Sequence, residues 1–120
     1  MTAAPSPATC RAQVVAILDA LRAEAAKWGV DLAALRFEIL HFDSQRDPST
    51  GEAALTALWR GGDCGGYGGQ LTLRADGHVH AECDLLIDHP RRPQFWIEAA
   101  TVWGVLPALK AEPRLLAKPA

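Results

Sequence analysis

The residues with the chemistry of a site fall into two short stretches of the chain. In the glycine-rich segment 61–69, a single cysteine, Cys64, stands among six glycines. The second stretch is an alternating run of two histidines and two carboxylates: His78, His80, Glu82 and Asp84. A thiolate can act as a nucleophile, and imidazole with carboxylate can hold zinc or iron. Both chemistries depend on the elements that position these groups.

Segment 62–66, Gly-Asp-Cys-Gly-Gly, resembles the nucleophile segment of the chymotrypsin-fold cysteine proteases of positive-strand RNA viruses. The resemblance implies Cys64 as the nucleophile, His41 as the base, and backbone N–H groups as the oxyanion hole. That fold needs two six-stranded barrels, which a chain of 120 residues with helices does not accommodate. His41 also precedes Cys64 by only 23 residues, which leaves no barrel between base and nucleophile. For these two reasons a small cysteine-dependent hydrolase is the alternative function and not the preferred one.

The glycines of segment 61–69 do not form a phosphate-binding loop. Neither G-x-x-x-x-G-K-[ST] nor G-x-G-x-x-G occurs there. A strand is predicted next, so no helix N-terminus is offered to a phosphate. We interpret the segment as a hairpin loop beside Trp59 and Tyr67. Cys64 is then not catalytic, and Tyr67 is a contact residue that can bury in a partner.

Strand alternation places the side chains of the run 78–84 on one face of a predicted strand. In the predicted hairpin Arg74 lies beside His78, where its guanidinium would repel a divalent cation. We therefore interpret the run as the solvated face of an amphipathic strand. No metal or other cofactor is predicted, and metal-dependent chemistry at His78 and His80 remains part of the alternative.

The turn 74-RADGH-78 decides which side chains share a face. A two-residue Asp-Gly turn would mix polar and apolar residues on both faces of the hairpin. A type I turn with Gly77 in the left-handed region forms a bulge and pairs Leu73 with Val79. The bulged register is preferred because it collects seven residues on a dry face: Leu71, Leu73, Val79, Ala81, Cys83, Leu85 and Ile87.

An N-terminal helix is predicted between Ser6, a capping residue, and Gly29. Its core-facing stripe consists of Val14, Ile17, Leu18, Leu21, Ala25 and Trp28. The polar side consists of Arg11, Asp19, Arg22, Glu24 and Lys27.

Four strands are predicted at residues 35–42, 53–60, 70–74 and 78–87, with an exposed hairpin loop at 43–52. Residues 94–103 are predicted as a helix, with a fifth strand as the alternative. The expected fold class is α+β: an N-terminal helix, a four-stranded antiparallel β-meander, and a C-terminal helix packed on one sheet face. Residues 1–104 would form a single domain, and residues 105–120 a Pro-rich, loosely held tail.

Composition limits the function classes. A net charge of −2 and a pI near 6.0 leave no basic stripe, which argues against nucleic acid. Three distant cysteines without a C-x-x-C pair indicate a reducing compartment. The first ten residues lack the pattern of a secretory signal, and Glu98 and Pro107 interrupt the longest apolar tract. We expect a cytoplasmic protein with no membrane partner.

These observations favour a non-enzymatic protein-binding module, with a homo-oligomer as a further option. The class that we expect is a bacterial immunity-type protein that neutralises a toxin domain. The predicted binding residues are Tyr67, Arg74, His78, His80, Glu82 and Asp84.

Overall fold

The computed structural model describes residues 6–46 and 50–120 as an α+β fold. Helix α1 spans Arg11–Ala26. The six antiparallel strands lie side by side in chain order: β1 His41–Arg46, β2 Ala53–Trp59, β3 Gly69–Arg74, β4 His78–Asp88, β5 Phe95–Val105 and β6 Ala108–Ala117. Short 3-10 turns at Phe37–Ile39 and Gly61–Asp63 lie in the connections. The predicted α+β class is confirmed, whereas the four strands and the C-terminal helix are wrong.

The C-terminal helix predicted at residues 94–103 is strand β5. Residues 99–102 are all buried, at 8% exposure or less. Because residues on both faces of β5 are buried, the strand shows no polar–apolar alternation, and its apolar run resembles a helical stripe. Segment 105–120, predicted as a loosely held tail, contributes β6, which pairs with β5 from Ala108 to Ala117. Pro113 is tolerated there because β6 is an edge strand of the described sheet.

The strand predicted at residues 35–42 begins later, at His41. Residues 35–40 turn beneath the sheet instead, and Leu35 and Leu40 are buried in the core. Apolar residues alternate in this segment because a loop, and not a strand, places some of its side chains in the core. β1 also extends to Arg46, into the predicted hairpin loop 43–52, of which residues 47–49 lie outside the described part of the chain. Residues 1–5 of the N-terminal segment lie outside it too.

Helix α1 covers one sheet face at strands β4, β5 and β6. The core-facing residues predicted from the periodicity are confirmed as buried: Val14, Ile17, Leu18, Leu21 and Ala25. Trp28 is half-buried. Before the helix, the Ser6 hydroxyl accepts a hydrogen bond from the Thr9 N–H at 3.3 Å. Within the described residues, no helix has the length and apolar character that a bilayer crossing requires.

Glu24 departs from the predicted polar side of α1. Its side chain is 2% exposed, and its Oε1 lies 3.4 Å from the Lys27 ammonium. The position follows from helical geometry, because Glu24 is three residues from Leu21 and four from Trp28, on the same stripe. The α1–β1 connection adds Val30 and Leu32 to the same core.

The bulged register of the β3–β4 hairpin is confirmed. Leu73 lies opposite Val79 and Leu71 opposite Ala81. Gly77 has a φ of +92°, and its N–H donates to the Arg74 carbonyl at 3.0 Å. The predicted dry face is buried through Leu85, whereas Ile87 is half-buried. The change follows an irregularity between residues 84 and 87 of β4.

Trp59 packs across the sheet at the other end of this hairpin. It lies opposite Gly69, which in turn lies opposite Cys83. The indole is buried at 2% exposure. A Cβ added at Gly69 would overlap the Trp59 ring and the Glu82 carbonyl oxygen. The absence of a side chain at Gly69 is therefore what allows the indole to lie over the sheet.

Gly69→Ala is expected to destabilise the protein by about 1–3 kcal/mol, because the added methyl group forces the indole or the β3–β4 pairing to move. Urea denaturation would measure the change. Gly62→Ala is the matched control, since a Cβ at Gly62 has open space. An alanine at 69 that is tolerated as well as one at 62 would contradict this account of Trp59.

Candidate functional site

No described segment covers the sheet face opposite α1, which we name the open face. Cross-strand partners point to the same side of a sheet, so the register defines its rows. The first row is Asp43, Thr56, Thr72, His80, Trp103 and Lys110. The second row is His41, Leu58, Gln70, Glu82, Thr101 and Glu112. The third row is Gln45, Ala54, Arg74, His78, Val105 and Ala108.

The structure brings five of the six predicted binding residues onto this face, and they fall into three environments. His80 is exposed in the first row between Thr72 and Trp103. Glu82 and Asp84 lie near the sheet end of the glycine segment. Arg74 and His78 lie at the β3–β4 turn. The sixth, Tyr67, is half-buried in the β2–β3 connection and packs against the core.

At the turn, Asp76 organises Arg74 and His78. Its carboxylate lies 2.9 Å from His78 Nδ1 and accepts the His78 backbone N–H at 3.0 Å. Those two hydrogen bonds, with the charge of Arg74, lower the pKa of Asp76 to about 2. Arg74 also forms an ion pair with Glu52. Hydrogen bonds and ion pairs therefore hold Arg74, Asp76 and His78 in place, and we name these three residues the polar corner.

Farther along the face, three carboxylates surround one guanidinium, and we name this set the acidic cluster: Glu82, Asp84, Glu98 and Arg114. Arg114 lies 2.5 Å from Glu82 and 3.1 Å from Glu98. Gln70 donates to Glu82 at 3.2 Å. Three negative charges against one positive charge leave a local negative excess.

The two carboxyl groups on β4 respond to this arrangement in opposite ways. For Asp84, burial raises the pKa and the charges of Glu82 and Glu98 raise it further. For Glu82, burial raises the pKa, but the hydrogen bonds and charge of Arg114 outweigh it, so the net shift is downward. Arg114 forms ion pairs with Glu82 and Glu98, and its charge lowers the pKa of Asp84 less than burial and the neighbouring carboxylates raise it.

A hollow of about 330 Å³ lies between the acidic cluster and the glycine segment. Its walls include Arg60 and Gln70, the carboxylates Glu82 and Asp84, and the backbone of Gly68. Bare glycine backbone on one side and carboxylates on the other offer acceptors to a cationic group.

Cys64 is not exposed in the glycine loop. It is 1% exposed, and its backbone N–H donates to the Gly61 carbonyl at 3.1 Å. Burial raises the pKa of the Cys64 thiol, and burial raises that of Cys83 to about 12. His41, the base that the protease resemblance implies, is exposed on the open face with no hydrogen bond to Cys64. The pair needed for nucleophilic catalysis is therefore not assembled in this structure.

The alternating histidines do not converge on a metal-binding geometry. Among residues 6–46 and 50–120, no group of three or more His, Cys, Asp or Glu side chains is placed to hold an ion. His78 is engaged by Asp76. The absence of a metal requirement stays a prediction.

Sequence reasoning missed the residues that β5 and β6 bring to the open face. These are Thr101, Trp103 and Val105 from β5, and Lys110, Glu112 and Arg114 from β6. Trp103 lies in the segment 94–103 that is predicted as a helix. The aromatic and β-branched content of 95–105 was the available signal for a strand. For β6, the ion pair between Arg114 and Glu82 is seen only once the pairing of the strands is known.

Replacing Asp84 by Asn is expected to stabilise the protein at neutral pH by a few tenths of a kcal/mol, about the size of surface charge effects. Folding raises the pKa of Asp84, so its ionised form carries a cost that the amide removes. The gain should vanish as the pH falls through the raised pKa and then the ordinary one. Glu82→Gln should do the opposite: it destabilises at neutral pH, and the loss fades as the pH falls through the lowered pKa of Glu82. Thermal unfolding of both variants from pH 7 to pH 3 separates the two signs.

Cys64 in the folded protein is expected to react with a disulfide reagent more slowly than an ordinary thiol of pKa about 8.5 at every pH tested. Burial and the raised pKa both limit the thiolate. Peptide mapping after labelling identifies the modified cysteine, and labelling in denaturant is the control. Rapid labelling of Cys64 near neutral pH would instead support an activated nucleophile.

No match to this chain was found among protein-family models, curated proteins or solved structures. The geometry of the open face is therefore the basis on which a function is inferred.

Proposed function

We propose that this protein is a non-enzymatic protein-binding module and that the open face contacts its partner. The supporting observation is a complete face of a six-stranded sheet that no described segment covers. Helix α1 and the α1–β1 connection bury the other face. A second layer on the open face would complete the sandwich that sheets commonly form, and a partner can supply that layer.

The side chains of this face suit a protein surface. Leu58 is 51% exposed and Val105 is 44% exposed. Between them lie His80 and the half-buried Trp103, which are directly opposite each other. Aromatic residues supply much of the energy at protein interfaces, with polar groups at the rim. The apolar groups here are separated by polar ones, which is typical of a face that is also stable in water.

Charge specifies the chemistry of the partner. The acidic cluster holds three carboxylates and one guanidinium, and Asp84 forms no ion pair with any described residue. The adjoining hollow offers further acceptors. We therefore infer a partner with a Lys or Arg side chain that reaches Asp84, beside an apolar group that packs on Leu58 or Trp103. Such complementarity accelerates association and selects against acidic proteins.

A bacterial immunity-type protein, which neutralises a toxin domain, is the class that we propose. Small size, a net charge of −2 and three cysteines without a disulfide are compatible with that class. An inhibitor needs a stable complementary surface and no reactive group of its own. The buried thiols and the held polar corner at Asp76 agree with that requirement.

Substitutions on the open face are expected to weaken partner capture by about tenfold or more, the effect of losing a central interface residue. Two variants, Leu58→Asp and His80→Ala, lie on this face, and a third, Tyr67→Ala, lies in the β2–β3 connection. Each is immobilised and compared with the native protein for capture of one defined protein from the source cell. Tyr67→Phe keeps the packing of Tyr67 on the core and separates lost contact from lost folding.

Two controls make the comparison decisive. Ala16→Asp adds a charge on the exposed side of α1, and Cys64→Ala removes the thiol with little change in volume. Both should capture the partner normally. Relief of the captured protein's toxicity by co-expression would support the immunity role. If Cys64→Ala is inactive and the open-face variants are normal, the function is chemical and this proposal is wrong.

A further inference from the structure

The β4–β5 connection, residues 89–94, carries two adjacent arginines that are not part of the open face. Arg91 and Arg92 are exposed. No carboxylate among the described residues lies within ion-pair distance of either one. The nearest acidic residue in sequence, Asp88, is held by Lys118 at 2.5 Å. Likewise, Glu24 at the end of α1 lies 3.4 Å from Lys27. Both guanidinium charges therefore remain available for a ligand.

Each of these guanidiniums is stacked on an aromatic ring. Arg92 lies 4.3 Å from the centroid of Phe95, and Arg91 lies 5.6 Å from that of Trp28. Phe95 points to the α1 side of the sheet, two residues before the buried Ile97. Both arginines therefore stack on the same side. A guanidinium in cation–π contact with a ring still has N–H groups that can donate to another molecule.

His89 fixes the backbone that carries the pair. Its side chain is 7% exposed and contacts the Trp28 ring at 5.2 Å. Its Nδ1 accepts the backbone N–H groups of both Arg91 and Arg92 at 3.1 Å. Burial and the two arginine charges lower the pKa of His89, which keeps the imidazole in the neutral form that can accept. The loop is ordered before any ligand arrives.

We propose that this loop is a second contact surface, in which Arg91 and Arg92 bind clustered carboxylates on a protein partner and His89 is the positioning residue. The inference builds on the proposed protein-binding function and adds a contact of opposite sign to the acidic cluster. Stacked guanidiniums with free N–H edges make bidentate hydrogen bonds to carboxylates.

Charge favours an acidic protein segment over a nucleic acid. Two guanidiniums match one or two carboxylates, whereas a nucleic acid brings a phosphate at every nucleotide. The chain as a whole carries a net charge of −2. A nucleic acid that extends beyond the loop would be repelled by Asp88 and by the acidic cluster of the same sheet.

The test uses a labelled hexaglutamate peptide, whose binding to the full chain is followed by fluorescence anisotropy. The native protein should bind it, and the double variant Arg91→Ala with Arg92→Ala should bind about tenfold or more weakly, the loss expected from one good charged contact. The matched control is Arg36→Ala with Arg46→Ala, which removes two exposed arginines elsewhere and should change binding by less than about twofold. His89→Leu should weaken binding, and His89→Asn, whose amide oxygen can accept the N–H two residues on, should restore part of it.

Several outcomes would overturn the proposal. They are equal losses in the two double variants, no binding by the native protein, tighter binding of a thymidine oligonucleotide of equal charge, or native affinity in His89→Leu. Circular dichroism confirms that each variant is folded. The peptide assay contains no biological partner, so its failure leaves the open-face capture experiment intact. Failure of that capture with normal peptide binding would count against the proposed function alone.

Discussion

The register of the β3–β4 hairpin is the constraint on which both faces of the sheet depend. Gly77 adopts a φ of +92° and allows one extra residue in the turn. A slip of one residue would pair Leu73 with His80 and so mix polar and apolar side chains on both faces of the hairpin. Because each strand pairs with its chain neighbour, this register passes to β2 on one side and β5 on the other. The core and the open face are thus set by the same turn.

Part of this fold could be predicted from the sequence because its signals are local. The α1 stripe repeats every three or four residues, and the β3–β4 hairpin combines strict alternation with an Asp-Gly turn. Strand β5 carries no such signal, because Ala99 and Ala100 are buried on opposite faces. The covering of its second face by large side chains such as Trp103 and Arg114 is a tertiary effect. Edge strand β6 is defined by pairing with β5 and is interrupted by Pro113.

Residues of the candidate site could be predicted from the sequence only where the strand that carries them could be predicted. Alternation along β4 places four of the predicted residues on one face, and the structure agrees. It does not reveal that Arg114, from β6, pairs with Glu82. Sequence alternation also does not show whether the side chains of the glycine segment are exposed or buried. Cys64 is buried although glycines flank it, because local flexibility says little about which side chain the core takes up.

The same distribution of groups is the reason that we propose binding and not catalysis. A catalytic centre brings a nucleophile, a base and an oxyanion donor to one point, in a cavity that excludes water. Here the thiols lie in the core, three of the four histidines lie on the open face, and the carboxylates are spread along the sheet. Arg114 and Asp76 already engage their neighbours, which fixes side chains without focusing them on a substrate. Ordered charges on a broad surface lower the entropic cost of docking another protein.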